Sequence, residues 1–165
     1  MGVLREPAFI CDEMLKKLSR WLRIAGYDVL SPDVDTDEEI VALAMRTGRI
    51  VLTRDKDLSN RRGIEALRIV SDELKEQLEE FLLQFPRESF APGPTRCPLC
   101  NGSLRRYKKG KGPNPEMEID IPSKVKEEMD FFYVCSSCRK IYWEGTHWRR
   151  IETLLGPMGM MPELP

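Results

Sequence analysis

Four of the five cysteines stand in two Cys-x-x-Cys pairs, Cys97/Cys100 and Cys135/Cys138. Two thiolates three positions apart grip one face of a tetrahedral ion, and a second pair closes the other face. Cys97-Pro98-Leu99-Cys100-Asn101-Gly102 and Cys135-Ser136-Ser137-Cys138-Arg139-Lys140 both continue into turn-forming residues. The expected occupant is a structural Zn²⁺, because a closed four-sulfur site leaves no position open for chemistry. A redox pair or an iron–sulfur cluster fits less well, since four equivalent ligands beside strand-like flanks are what a ribbon requires. Thirty-four residues separate Cys100 from Cys135, against a usual gap of roughly 15–20, so the insert that includes Gly110 to Pro122 is expected to bulge. Cys11 stands apart and reads as a small core residue.

Upstream of the cysteines the sequence alternates between strand and helix signals. Ala8-Phe9-Ile10-Cys11 is a short apolar run. Met14, Leu15, Leu18, Trp21, Leu22 and Ala25 then recur at helical spacing up to Gly26. Tyr27 to Leu30 suits a second short strand. Thr36-Asp37-Glu38-Glu39 is a capping box opening a helix that Gly48 closes. Arg49 to Thr53 is a strong strand, and Ala66 to Val70 is another candidate. Leu74, Leu78, Phe81, Leu82 and Phe85 give a final helix over 71–85. Such alternation predicts an α/β fold with a mainly parallel sheet and flanking helices. The Pro-rich stretch 86–95 marks a boundary. The expected division is residues 1–90, then 91–155 as a cysteine module, then a loose tail over 156–165.

Charge follows this division. Residues 1–90 carry 14 Lys and Arg against 18 Asp and Glu, and residues 91–165 carry 12 against 9. Hydrophobic residues make up 41%, enough for a core, so wholesale disorder is not expected. No apolar run approaches the roughly 18–20 residues that span a bilayer, and the first six residues lack a signal-peptide pattern. The expected compartment is the cytoplasm, with no membrane partner.

Asp12 ends the first strand, Asp55 and Asp57 follow the 49–53 strand, and Asp37 opens a helix. In a parallel sheet the carboxyl ends of all strands share one edge, where ligands bind. Asp12 and Asp55 converge there if their strands are neighbours, and Asp37 joins them only if its helix starts at that edge. Acids gathered without basic partners repel one another unless a cation neutralises them. Hard oxygen ligands select Mg²⁺ or Mn²⁺, and such ions assist hydrolysis of a phosphodiester.

The segments Phe9-Ile10-Cys11-Asp12, Met14 to Arg23, Gly26-Tyr27-Asp28, Gly48 to Asp55 and Tyr142-Trp143-Glu144-Gly145-Thr146-His147 together resemble the Mut-seven C-terminal RNase family. The resemblance covers about residues 8–150. It implies a PIN-like nuclease domain followed by a zinc ribbon. On the family pattern Asp12, Asp37 and Asp55 hold Mg²⁺ or Mn²⁺, with Asp57 as a possible fourth acid, and the substrate is RNA. A second PIN acid has no clear counterpart, and Glu13 and Glu38 are weak substitutes.

The run Arg105-Arg106-Tyr107-Lys108-Lys109-Gly110-Lys111 suits phosphate contact with base stacking. Arg20, Arg23, Arg54, Arg61 and Arg62 are candidate contacts on the first module. His147 with Arg149 or Arg150 is another, with Trp143 or Trp148 stacking. The plainer reading of that last segment is that Trp143 and His147 pack the two modules together. The function expected is metal-dependent endoribonuclease action on RNA, single-stranded by preference. The alternative is a non-catalytic RNA-binding protein with a degenerate site. A phospho-receiver reading fails on its lysine, because Ser71-Asp72-Glu73 follow the 66–70 strand.

Overall fold

The computed structural model describes residues 6–34, 36–86, 94–112, 121–145 and 148–160. The chain opens with β1 (Phe9–Cys11), α1 (Lys16–Ile24), β2 (Val29–Leu30), α2 (Asp37–Thr47), β3 (Ile50–Thr53), α3 (Lys56–Ser59), β4 (Ala66–Arg68) and α4 (Leu74–Gln84). It continues with β5 (Leu104–Lys108), α5 (Ser123–Glu128), β6 (Phe131–Cys135), β7 (Ile141–Tyr142) and α6 (Trp148–Leu155). The first four strands form one sheet in the order β2-β1-β3-β4, and all three pairings are parallel. The remaining three form an antiparallel sheet, β5-β6-β7. Among the described residues no helix is long and apolar enough to cross a membrane.

Every residue of β1 and β3 is buried, as expected of parallel strands covered on both faces. Alternate side chains feed two cores. Phe9, Cys11, Ile50 and Leu52 join Leu18, Trp21 and Leu22 of α1 and Leu78 and Phe81 of α4. Ile10 and Val51 meet Ile40 and Ala44 of α2 and Leu58 of α3 on the opposite face. The capping box forms as its sequence predicts: the Glu39 amide donates to Thr36 Oγ1 at 3.3 Å and the Thr36 amide to Glu39 Oε2 at 3.2 Å. Gly48 closes α2 at φ 66°, a left-handed conformation that glycine takes without strain.

The two sheets are joined by polar contacts and by a returning helix. Asn101, just past the first cysteine pair, accepts the Val29 amide at 3.1 Å and donates to Asp28 Oδ1 at 2.7 Å. Arg49 and Arg96 bind the same Asp28 carboxylate at 2.7 and 3.2 Å. Burial alone raises the Asp28 carboxyl, but hydrogen bonds from Arg49 and Asn101 and the Arg96 charge outweigh it and leave its pKa below the ordinary value.

Helix α6 then lays Trp148, Ile151 and Leu155 into the same core as α1 and α4. The tail is therefore not loose from 156 onward. Gly156–Met158 form a 3₁₀ turn and Met160 is fully buried in that core. Gly, Pro and Met read as a loose end in sequence, but Met160 finds an apolar socket. Residues 161–165 lie outside the described residues.

Candidate functional site

The order β2-β1-β3-β4 reverses direction between β1 and β3, and a parallel sheet binds ligands at such a switch point. Asp12 follows β1 and Asp55 follows β3 by two residues, so both acids stand at this point. Asp12 is 7% exposed. Its Oδ1 accepts the Leu15 amide at 3.2 Å, capping the short turn 13–15. Its Oδ2 accepts the Thr53 hydroxyl. Burial lifts the Asp12 pKa above the usual carboxylate value despite these donors.

Thr53 ties the two strand ends together. Its hydroxyl donates to Asp12 and accepts the Asp55 amide at 2.9 Å, and the residue is fully buried. Asp55 Oδ1 in turn accepts the amides of Asp57 and Leu58 at 2.6 and 2.8 Å, so Asp55 caps α3. Thr53→Val removes the shared hydroxyl and strands a buried acceptor and an amide donor. The expected loss is about 2 kcal/mol of stability, and Thr53→Ser recovers most of it. Chemical denaturation of the two variants checks this.

The acids of this region divide by partner. Asp28 is held by two arginines, Glu38 by Arg61 at 2.7 Å, and Glu13 and Asp33 by Lys16 at 3.0 and 3.6 Å. Asp12, Asp37, Asp55 and Asp57 have no basic partner among the described residues. Glu13 and Glu38, the weak substitutes for a further acid, are thus committed elsewhere. Asp37 is the first residue of α2, and the Glu38–Arg61 pair ties that turn to the exit of α3. The acids do not close into a cage: among the described residues the only group of three or more Cys, His, Asp or Glu with ligand atoms within 4.8 Å of one another is the cysteine set. Carboxylate oxygens without an ion-pair partner among the described residues are donors that a hard divalent cation accepts.

The cysteine set is built by two matching turns. The Cys97 amide donates to Gly102 O at 2.8 Å and the Cys135 amide to Lys140 O at 3.0 Å. The Asn101 and Arg139 amides donate back to Cys97 O and Cys135 O. Asn101 and Arg139 both take positive φ, 66° and 63°, which turns each knuckle back on itself. The sulfurs of Cys97 and Cys138 are 3.7 Å apart and those of Cys100 and Cys135 3.4 Å. A tetrahedral ion with sulfurs at about 2.3 Å spaces them by roughly 3.8 Å, so the four fit one Zn²⁺. The Ser137 and Cys138 amides both donate to Cys135 Sγ at 3.4 Å. Burial raises the Cys97 thiol, but the Tyr142 hydroxyl at 3.0 Å and the Cys100 and Leu99 amides bring it down to about 7. That sulfur is primed for the thiolate form a metal needs.

A family model described as Mut7-C RNAse domain matches residues 7–155. The chain belongs to this family. No curated protein matches the chain, and no solved structure matches it. The name of this family points to a nuclease-like, RNA-related function, and the four-cysteine cluster is consistent with a zinc ribbon.

The cationic candidates sort differently from their appearance in sequence. Arg23 is corrected from a nucleic-acid contact to a clamp. It is 5% exposed, and it donates through Nε to Val29 O at 2.7 Å and through Nη1 to Pro98 O and Leu99 O at 3.1 and 3.0 Å. Its guanidinium thus pins the first knuckle to β2. Trp148 is buried in the core rather than stacking. Arg20, Arg105, Arg106, Lys108, Lys109, Lys111 and Arg149 are exposed, and Arg54 is half-buried. Arg106 lies 3.7 Å over the Phe131 ring. His147 lies outside the described residues. Thr53 was not singled out as a site residue in the sequence. Thr53 was visible within the Leu-Thr-Arg-Asp element, but its role depends on the register that sets Cys11 opposite Leu52.

Proposed function

We propose that the chain is a cytoplasmic, metal-dependent endoribonuclease whose zinc ribbon is structural. The observation that carries this reading is that Asp12 and Asp55, without basic partners among the described residues, both stand at the β1/β3 switch point. Membership in the Mut7-C RNAse domain family supports it. Asp12, Asp37 and Asp55, with Asp57 beside them, are the side chains that would hold Mg²⁺ or Mn²⁺. Such an ion, once bound, would supply Lewis-acid stabilisation to a phosphodiester. Thr53 keeps Asp12 and the Asp55 backbone in fixed register, so the carboxylates meet a substrate preorganised. Arg54 beside them, together with Arg20, Arg149 and the exposed hairpin cations 105–111, is positioned by charge to take RNA phosphates.

The second reading, an RNA-binding protein without catalysis, rests on one observation: three carboxylates do not come within 4.8 Å of one another among the described residues. Incubating the zinc-loaded chain with end-labelled single-stranded RNA and Mn²⁺ separates the two. Internal cleavage products support the nuclease. Intact RNA that is nevertheless bound supports the second reading and overturns the first.

A further inference from the structure

The exposed face of α1 and the exposed face of α6 meet across a groove. One depression of about 620 Å³ is lined by Lys16, Lys17 and Arg20 from α1 and by Arg150 from α6, over Trp21, Ile24 and Ile151. A second, of about 830 Å³, carries Lys75, Arg149 and Arg150, again beside Trp21. The two share Trp21 and Arg150, so they form one continuous furrow. Among the described residues six cations line it and no carboxylate does, in a chain whose net charge is −1. Lys17, Arg20, Arg149 and Arg150 have no acidic partner among the described residues.

The furrow leads to the acidic edge. Lys16 directly follows the turn that Asp12 caps. Lys16 and Arg20 also line a smaller recess of about 270 Å³ next to Ser31, just past β2. The Ser31 hydroxyl is buried with no hydrogen-bond partner, and buried polar groups ordinarily have one. Arg23 lines the recess too, and Asp33, its one carboxylate among the described residues, pairs with Lys16. An anionic oxygen would satisfy Ser31 and balance Arg20.

We propose that this furrow is the track along which single-stranded RNA approaches the acidic edge, with phosphates on the α1 and α6 cations and bases over the apolar floor. The proposal deepens the nuclease reading and rests on it for the choice of RNA over other polyanions. The apolar floor favours a single strand, because a duplex offers phosphates but hides its bases. The track draws its two walls from both modules: α1 lies before the cysteine module and α6 after it. This gives the docking of α6 a role in substrate binding as well as in the core.

Binding of a fluorescent single-stranded RNA to the zinc-loaded chain tests it, measured by anisotropy across a salt series without Mg²⁺ or Mn²⁺. The double variant Arg20→Glu, Arg150→Glu is expected to bind at least tenfold more weakly. The milder Arg20→Gln, Arg150→Gln pair keeps the fold free of added acids. Removing two phosphate contacts is expected to lower its log–log salt slope by about 1.4. Arg46→Glu, Lys124→Glu, at exposed cations of α2 and α5 that do not line the furrow, should change affinity less than threefold. Wild-type affinity in both groove variants, an equal loss in the Arg46→Glu, Lys124→Glu control, or equal affinity for a duplex overturns the track. Cleavage with Mn²⁺ alongside unaltered groove binding sinks the track and leaves the nuclease standing. Groove-dependent binding with no cleavage does the reverse.

Discussion

Removing the metal from the four-cysteine site, by chelation or by Cys97→Ser with Cys135→Ser, is expected to lower the melting temperature of the whole chain by roughly 10 °C or more. A structural zinc site contributes folding free energy outright, on the order of 10 kcal/mol in small modules. Here the loss would not stay local. Arg23 of α1 is fixed by carbonyls of the first knuckle, and Asn101 from that knuckle bonds both Val29 and Asp28. Without the knuckle, a buried guanidinium and a strand amide lose partners, at about 1–3 kcal/mol for each stranded group. Helix α6, which follows the ribbon, carries three residues of the main core. Calorimetry before and after chelation, with one zinc per chain by elemental analysis, checks this. An unchanged melting temperature would mean the ribbon is independent of its cysteines.

The second large effect concerns the acidic edge. Asp12→Asn and Asp55→Asn are each expected to cut RNA cleavage by on the order of 10³-fold, about 4 kcal/mol of transition-state stabilisation. Both substitutions remove charge while sparing structure, because asparagine caps a helix about as well as aspartate. The Leu15, Asp57 and Leu58 amides therefore keep an acceptor. Asp57→Asn should cost far less, since among the described residues no backbone amide or cation holds its carboxylate. Initial rates over a pH series add a sign. Burial raises the Asp12 pKa of the metal-free chain, so the metal uptake that activity needs competes with protonation up to a higher pH than at an ordinary aspartate. The stability contribution runs the other way. It is fully present below the unfolded pKa near 3.8 and fades as pH rises through the raised folded value. Undiminished rates in both Asn variants would place the chemistry elsewhere.

These expectations draw on features that differ in how openly the sequence displays them. The cysteine knuckles were legible because ligand spacing is local: four sulfurs at fixed offsets dictate their own geometry. The parallel sheet was legible because Phe9–Cys11 and Ile50–Thr53 are uninterrupted apolar runs, and only strands buried on both faces carry such runs. Arg23 was misleading. On a helical wheel it falls off the apolar stripe like Arg20, and only the docked knuckle turns it inward. Helix α6 was hidden for a related reason. Trp148, Ile151 and Leu155 have helical spacing, yet they follow the ribbon and gave no sign that they return to the first core. Asp37 depends on where α2 begins relative to β1 and β3, which is a tertiary property. The coupling of Asp12 to Asp55 through Thr53 is likewise a matter of strand register.

Manganese binding to the zinc-loaded chain, followed by electron paramagnetic resonance, bears on the acidic edge without requiring a substrate. The wild-type chain should take up Mn²⁺ with loss of the free-ion signal, and Asp12→Asn with Asp55→Asn should leave that signal intact. Equal uptake by both proteins would contradict a cation site built on these two strand ends.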